Sequence, residues 1–572
     1  MGPTEQFEIR VRQDGRWNIQ SVCKREKEAL TRAETLLESG QFEAVEVVLE
    51  RMMPSGGSSE KVILSKESTK KVEKKVNVSP VETAPYCKTV DQMYTVEARR
   101  TIGRLLREFC DMMLLTPTEL IYTHRALTKL NDMDSLLPSA VDRIAKVQAR
   151  KTGENGKDRN KNLYKIVEAV IDRARRSEII DMKDMPFSRL VLAVESTVPK
   201  EGQQHAVMTA LTKKLSGAMI WDGKIEILLD LIDDGDLSPW SASLLDSVIA
   251  ELLDMPKVLR ELMGNQPDLV HALEILIGLS RGNYTPKKWD TPNIHKLAAI
   301  MAAKPMPACK QILGECVARQ LSSKNPLTRG NKKDEEKALE VILESLLDGH
   351  DFVGGRGTLD AVTRRFSRDP DGGMDPKSPE DTLAAILDII KKSVSPIYQL
   401  RGQIKCLLDL SRTDFGKRNI KEIVRHLGLA MNNVNELYDL TYYRLPVRKR
   451  MADVSDLQKI ALECDLPGKV NEALAAKLDE IFCVFLEQEQ IIQKLDNPND
   501  TLSARAVRLL QFCASGILTQ GNAQKLAGEA VLAYLRQPNF VETYTEGAKN
   551  DAEKDEMIRQ LHKLIAASGV QM

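Results

Sequence analysis

From Ile225 to Leu279 the apolar positions recur with the period of an α-helix and stop at helix breakers. Ile225, Leu228, Leu229 and Ile232 fall at i, i+3, i+4 and i+7, one stripe that Gly235 closes. Ser238-Pro239 restarts the chain, because serine caps the free N–H groups of a first turn and proline at the first helical position forfeits no hydrogen bond. Leu244, Leu245, Val248, Ile249, Leu252 and Leu253 form a stripe two residues wide, which predicts a helix covered by neighbours along much of its length. Pro256 breaks it, and after Pro267 the pattern resumes through Leu269, Leu273, Leu276 and Ile277 until Gly282.

Residues 7 to 66 follow a different period. Phe7, Ile9 and Val11 alternate with polar residues, Asp14-Gly15 supplies a turn, and Trp17 and Ile19 continue the alternation, so a β-hairpin is predicted. Arg25 to Glu38 carries Ala29, Ala33, Leu36 and Leu37 at helical spacing, Ala44 to Arg51 alternates again, and Lys61 to Ser65 supplies a last short strand. The result is a ββαββ module over 1–66 with one sheet face covered by its helix, and with edges that recruit a partner strand or a second copy.

Residues 67–89 turn to Lys, Glu, Ser, Thr, Val and Pro without a helical stripe and read as a flexible linker. Helical text runs from Val90 to the end: a helical domain over 90–348, a Gly/Arg/Asp-rich connecting loop over 349–379, and a C-terminal helical domain over 380–572. Thr116-Pro117-Thr118-Glu119 offers a cap, a first-turn proline and a capping-box glutamate, and Thr285-Pro286, Thr291-Pro292 and Ser378-Pro379 repeat the Thr/Ser-Pro punctuation. No fixed period of 30 to 50 residues emerges. The fold class is therefore mainly α, a small α+β module followed by an irregular α-solenoid or successive helical bundles.

Composition narrows the function classes. Lys plus Arg and Asp plus Glu both number 82, so no bulk charge recruits nucleic acid or an anionic membrane. The basic stretch 150–161, with Arg143, Lys146, Arg173, Arg175 and Arg176 nearby, contains only Tyr164 as a stacking ring, and nucleic-acid binding is not expected. The nine cysteines form no C-x-x-C pair and several lie in apolar stripes, which fits a reducing cytoplasm. No secretory leader, lipidation signal or membrane span is expected.

Candidate chemistry concentrates in Gly349 to Pro379. Gly354, Gly355, Arg356 and Gly357 before a helix capped by Thr358 would let backbone N–H groups approach an anion, although the P-loop and dinucleotide spacings both fail. Ser367 beside Arg364, Arg365 and Arg368 is a candidate phosphorylation site whose phosphate would pair with those cations. Asp369, Asp371 and Glu380 match positions 1, 3 and 12 of a calcium loop, but Met374 and Pro376 spoil its middle. The seven histidines form no H-x-x-x-H pair, and neither a metal site nor a cofactor is expected. The expectation is a non-catalytic protein-interaction or scaffold component, working with a protein partner or by self-association. A ligand- or phosphate-regulated switch at 349–379 is the alternative, and an enzyme of unrecognised type the third.

Overall fold

The structure, a computed structural model, describes residues 4–13, 16–38, 43–52, 58–67, 76–133, 135–177, 185–233, 237–349, 351–367, 379–518 and 521–569. Strands β1 (Thr4–Gln13) and β2 (Arg16–Cys23), helix α1 (Glu26–Glu38), and strands β3 (Ala44–Met52) and β4 (Ser58–Glu67) follow the ββαββ order. The sheet is antiparallel, in the order β2-β1-β3-β4. Period-2 alternation sends Phe7, Ile9, Val11, Val45, Val47 and Leu49 to one face, where Ala29 and Ala33 of α1 cover them. The Asp14-Gly15 turn lies outside the described residues.

Two compact units are described, residues 1–83 with 105–113 and 128–161, and residues 84–104 with 114–127 and 162–572. The flexible linker expected over 67–89 is corrected on both sides of 68–75, which lie outside the described residues. β4 continues through Glu67, and Ala84 and Cys87 are buried. The Ser79 N–H donates to the Leu105 carbonyl at 2.8 Å and the Asn77 N–H to a Glu108 carboxylate oxygen at 2.9 Å. This strap packs without helical or strand periodicity, so the hydrophobic pattern carried no trace of it.

In the larger unit the helices that bear on function are numbered here in chain order: α2 (Val96–Leu105), α3 (Pro117–Tyr122), α4 (Trp221–Asp233), α5 (Pro239–Leu253), α6 (Leu269–Arg281), α7 (Pro307–Ser322), α8 (Gly355–Phe366), α9 (Pro379–Val394), α10 (Leu400–Ser411), α11 (Ile420–Asn432), α12 (Val447–Glu463), α13 (Val470–Gln488), α14 (Leu502–Ala514), α15 (Asn522–Leu535) and α16 (Asp551–Ser568). The Ser/Thr-Pro signals perform as caps where the side chain reaches the first turn: Thr116, Ser238 and Thr291 accept from the backbone N–H three residues on. Thr285-Pro286 starts no helix. There Asp290 gathers the Tyr284 hydroxyl and the Lys287 N–H, both at 2.7 Å, into a loop.

Packing passes from neighbour to neighbour. α4 lies on α5, α5 and α6 on α7, α7 on α8, α8 on α10, α10 on α11 and α12, α12 on α13, α13 on α15, and α14 on α15 and α16. Each layer buries an apolar face that no single helix could bury alone, the logic of solenoid stacking without a fixed repeat. One core runs from Leu359 of α8 through Leu561 of α16. Helix α8 therefore corrects the expected connecting loop. Residues 355–366 are a packed helix, preceded by the two-residue strands Leu347–Asp348 and Asp351–Phe352. The helix read as capped by Thr358 begins at Gly355, and its Leu359, Ala361 and Val362 are buried.

Candidate interaction surfaces

Of the glycines at 354–357, Gly354 is the one used for close packing. Gly354 has φ +78, and a Cβ on it would lie 2.4 Å from the Gly314 carbonyl oxygen of α7 and 2.3 Å from Thr358 Oγ1. A Cβ on Gly314 would meet the Gly354 nitrogen at 2.6 Å. The sequence signal for a close backbone approach is real, and what approaches is a neighbouring helix. Gly354 is the N-cap of α8, Gly355, Arg356 and Gly357 form its first turn, and Thr358 is fully buried at its fourth position. The exposed Arg356 acts electrostatically on Asp409 of α10, whose carboxyl is pushed up by burial against the pull of Lys405, Arg412 and Arg356.

Ser367 closes α8, its hydroxyl donating to the Thr363 carbonyl at 2.7 Å. The neighbouring arginines are already engaged. Arg364 pairs with Asp360 at 2.5 Å and Asp414 at 3.1 Å. Arg365 is buried and donates to the carbonyls of Leu321 at 2.6 Å, Ser323 at 3.2 Å and Asn325 at 2.9 Å, with Glu335 at 3.1 Å. It thus caps the carbonyl end of α7, where a cation also meets the negative end of the helix dipole. A phosphate on Ser367 would have to draw these groups from existing partners. Arg368, Asp369 and Asp371 lie outside the described residues.

A buried ion network that the sequence did not reveal lies where α2 and α3 meet α4 and α5. Arg99 Nε stands 2.8 Å from Glu251 Oε1, both side chains almost completely enclosed, and Arg99 Nη2 donates to Ser247 Oγ at 2.8 Å. Glu251 also accepts from the backbone and hydroxyl of Thr118, at 3.1 and 2.7 Å. Burial pushes its carboxyl up, opposed by the Arg99 guanidinium. Next to it Glu119 closes the expected capping box with Thr116 and takes Lys224 Nζ at 2.5 Å. Glu119 and Glu251 Oε2 are thus held by hydrogen bonds within the fold, while the buried Glu251 Oε1 faces Arg99 as an ion pair without a hydrogen bond.

Two outward-facing surfaces carry exposed apolar side chains. In the N-terminal sheet Glu8 alternates with Phe7 and Ile9, so the row Val22–Glu8–Val48–Val62 lies on the face that α1 leaves open. Ile19 is 58% exposed and Val62 51%, with Trp17 and Val22 also exposed; they lie on the two edge strands β2 and β4, and Arg10, held by Glu8 and Glu60, and Arg12, held by Glu43 and Glu67, stand on β1 between them. A second surface is a groove of about 550 Å³ formed by α9, α10 and α11. Its floor is Ile390 and Leu407, continuous with the core, and its walls include Leu387, Val394 and Leu429. Burial thus ends at an open cleft whose floor is apolar.

The nine cysteines are free thiols, and burial pushes Cys316 and Cys513 up to about 11. They fill core space as small apolar groups. Among the described residues, no group of three or more His, Cys, Asp or Glu side chains is placed to hold a metal, and no helix is long and apolar enough to cross a membrane. Compared with known proteins, the chain matches no family model, no curated protein and no solved structure.

Proposed function

We propose that this chain is a non-catalytic, cytoplasmic protein-interaction or scaffold component. The observation that carries the reading is the open face of the N-terminal sheet, where Trp17, Ile19, Val22 and Val62 stay exposed although the opposite face of the same four strands is closed by α1. Apolar side chains left exposed along both edge strands of one sheet face, with paired charges between them, offer a partner two apolar contact points. The layered helices of the larger unit offer further surfaces for contacts, and cysteines without disulfides suit a reducing compartment. The pairing of Arg10 and Arg12 with glutamates on the same face leaves the exposed apolar side chains of the edge strands as the source of affinity, so association should survive moderate salt.

The test is co-purification of the full-length chain at moderate salt, with Ile19→Glu/Val62→Glu as the altered form. Both positions are exposed, so the fold is expected to persist while a protein recovered with the wild type, or a second copy, is lost. Equal recovery with both forms would remove the sheet face from the account. A turnover activity abolished by one polar substitution would replace the reading with an enzyme.

A further inference from the structure

The groove between α9 and α11 has a chemistry specific enough to name its occupant. Along α9, Leu383, Leu387, Lys391 and Val394 follow one another at helical spacing, and Leu383 is 41% exposed. On α11, Arg425, His426 and Leu429 form the facing wall, with Leu429 57% exposed. A leucine left open beside a floor as buried as Ile390 offers apolar area that a second apolar surface would cover. Each wall also carries one cation with little to hold it. Lys391 makes no ion pair among the described residues, and Arg425 reaches only Glu422 of its own helix, at 3.9 Å. The one acid in the lining, Asp388, is paired to Lys392 at 3.1 Å.

We propose that this groove docks an amphipathic α-helix of a partner protein whose apolar stripe is flanked on both sides by carboxylates. The inference rests on the interaction reading above and deepens it by naming what is bound. A cation on each wall calls for an acid on each flank of the stripe, and an i, i+3 or i+4, i+7 stripe is the form in which a helix fills such a cleft. An extended peptide would need donors and acceptors for its backbone. The groove offers few, since Gln403 donates to the Ile397 carbonyl at 2.7 Å and Asn433 to the Leu429 carbonyl at 3.3 Å. A helix arrives with its backbone already satisfied.

The probe is a displayed library of helix-forming peptides of about four turns, with leucine fixed at i, i+4 and i+7 and the flanking positions varied among Glu, Lys and Ser, selected against the full-length chain. Wild type is expected to enrich glutamate on both flanks, with Glu-flanked peptides binding about tenfold tighter than Lys-flanked ones at low salt and the gap narrowing as salt is added. The charge-swapped form Lys391→Glu/Arg425→Glu should enrich lysine instead. Leu429→Asp, with unchanged circular dichroism and melting temperature, should enrich neither. Equal enrichment of Glu and Lys, enrichment that survives Leu429→Asp, or no enrichment on wild type would overturn the proposal, as would a dimer in sedimentation that Leu429→Asp dissociates, which assigns the groove to a second copy. Partner recovery that depends on Ile19 and Val62 is read separately, so failure at the groove is distinguishable from failure of the interaction reading.

Discussion

The neighbourhood of Glu251 and the groove beside Leu429 invert each other. In the first, charged groups lie inside and are matched: Arg99 and Glu251 are almost fully enclosed, and Thr118 and Ser247 take up further hydrogen bonds. In the second, apolar groups lie outside and cations stand without firm partners. An enclosed charge pair costs desolvation, and removing one member leaves the other stranded, so its contribution appears when it is broken. An exposed leucine contributes little to the fold, which leaves it available for another molecule. The charges that hold the fold and the apolar groups left open thus occupy separate parts of one helical stack.

Breaking the first region should produce the largest effect. Arg99→Met strands the Glu251 carboxylate and should lower stability by about 3–5 kcal/mol, whereas Arg99→Met/Glu251→Leu should recover most of that loss; urea unfolding followed by circular dichroism compares them. If the single and double forms unfold alike, the pair is not what holds α2 to α5. Gly354→Ala comes next, since its methyl group would press on the Gly314 carbonyl at positive φ; a loss of about 1–3 kcal/mol is expected, and Gly355→Ala, with open space around it, should cost less.

Acid should expose a further element near the first region. His205 packs against Tyr94 and Tyr122, and its Nε2 lies 2.7 Å from the Ser177 hydroxyl. Burial, reinforced by Arg173, lowers its pKa to about 4. The unfolded chain binds this proton near the ordinary value of about 6.5, so stability rises with pH between the two values and falls on acidification from about 6.5 toward 4. The expected loss is about 1–2 kcal/mol once the partial exposure is discounted, and His205→Gln should flatten that part of the melting-temperature profile. Leu429→Asp marks the other extreme: a change within about 0.5 kcal/mol would confirm that the groove wall is not needed for folding.

What the sequence disclosed follows from which interactions are periodic. The ββαββ module was legible because Phe7, Ile9 and Val11 alternate, and Glu119 because a capping box has fixed spacing. Arg99, Lys224 and Arg365 carry no local sign of burial, since their partners lie 152, 105 and 44 residues away (251 − 99, 224 − 119 and 365 − 321). Arg365 in particular was assigned to a phosphorylation site on the strength of its neighbour Ser367. The groove had a partial signal: Ile386, Leu387, Ile389 and Ile390 make the stripe of α9 wider than one neighbouring helix would cover. Nothing local distinguished the exposed Leu429 from the buried Leu427 and Met431 beside it. Exposure is a property of the assembled stack.

The cap that Arg365 places on α7 also has a bearing on how the chain is made. The carbonyls of Leu321, Ser323 and Asn325 leave the ribosome 44, 42 and 40 residues before the guanidinium that satisfies them. At about 5–20 residues per second that interval is roughly 2 to 9 seconds, during which the end of α7 has only water to bond. A nascent chain stalled just short of residue 365 should therefore present a frayed α7 to protease, and one stalled well beyond it a protected one, so that α8 acts as a delayed fastener between the earlier and later layers of the stack.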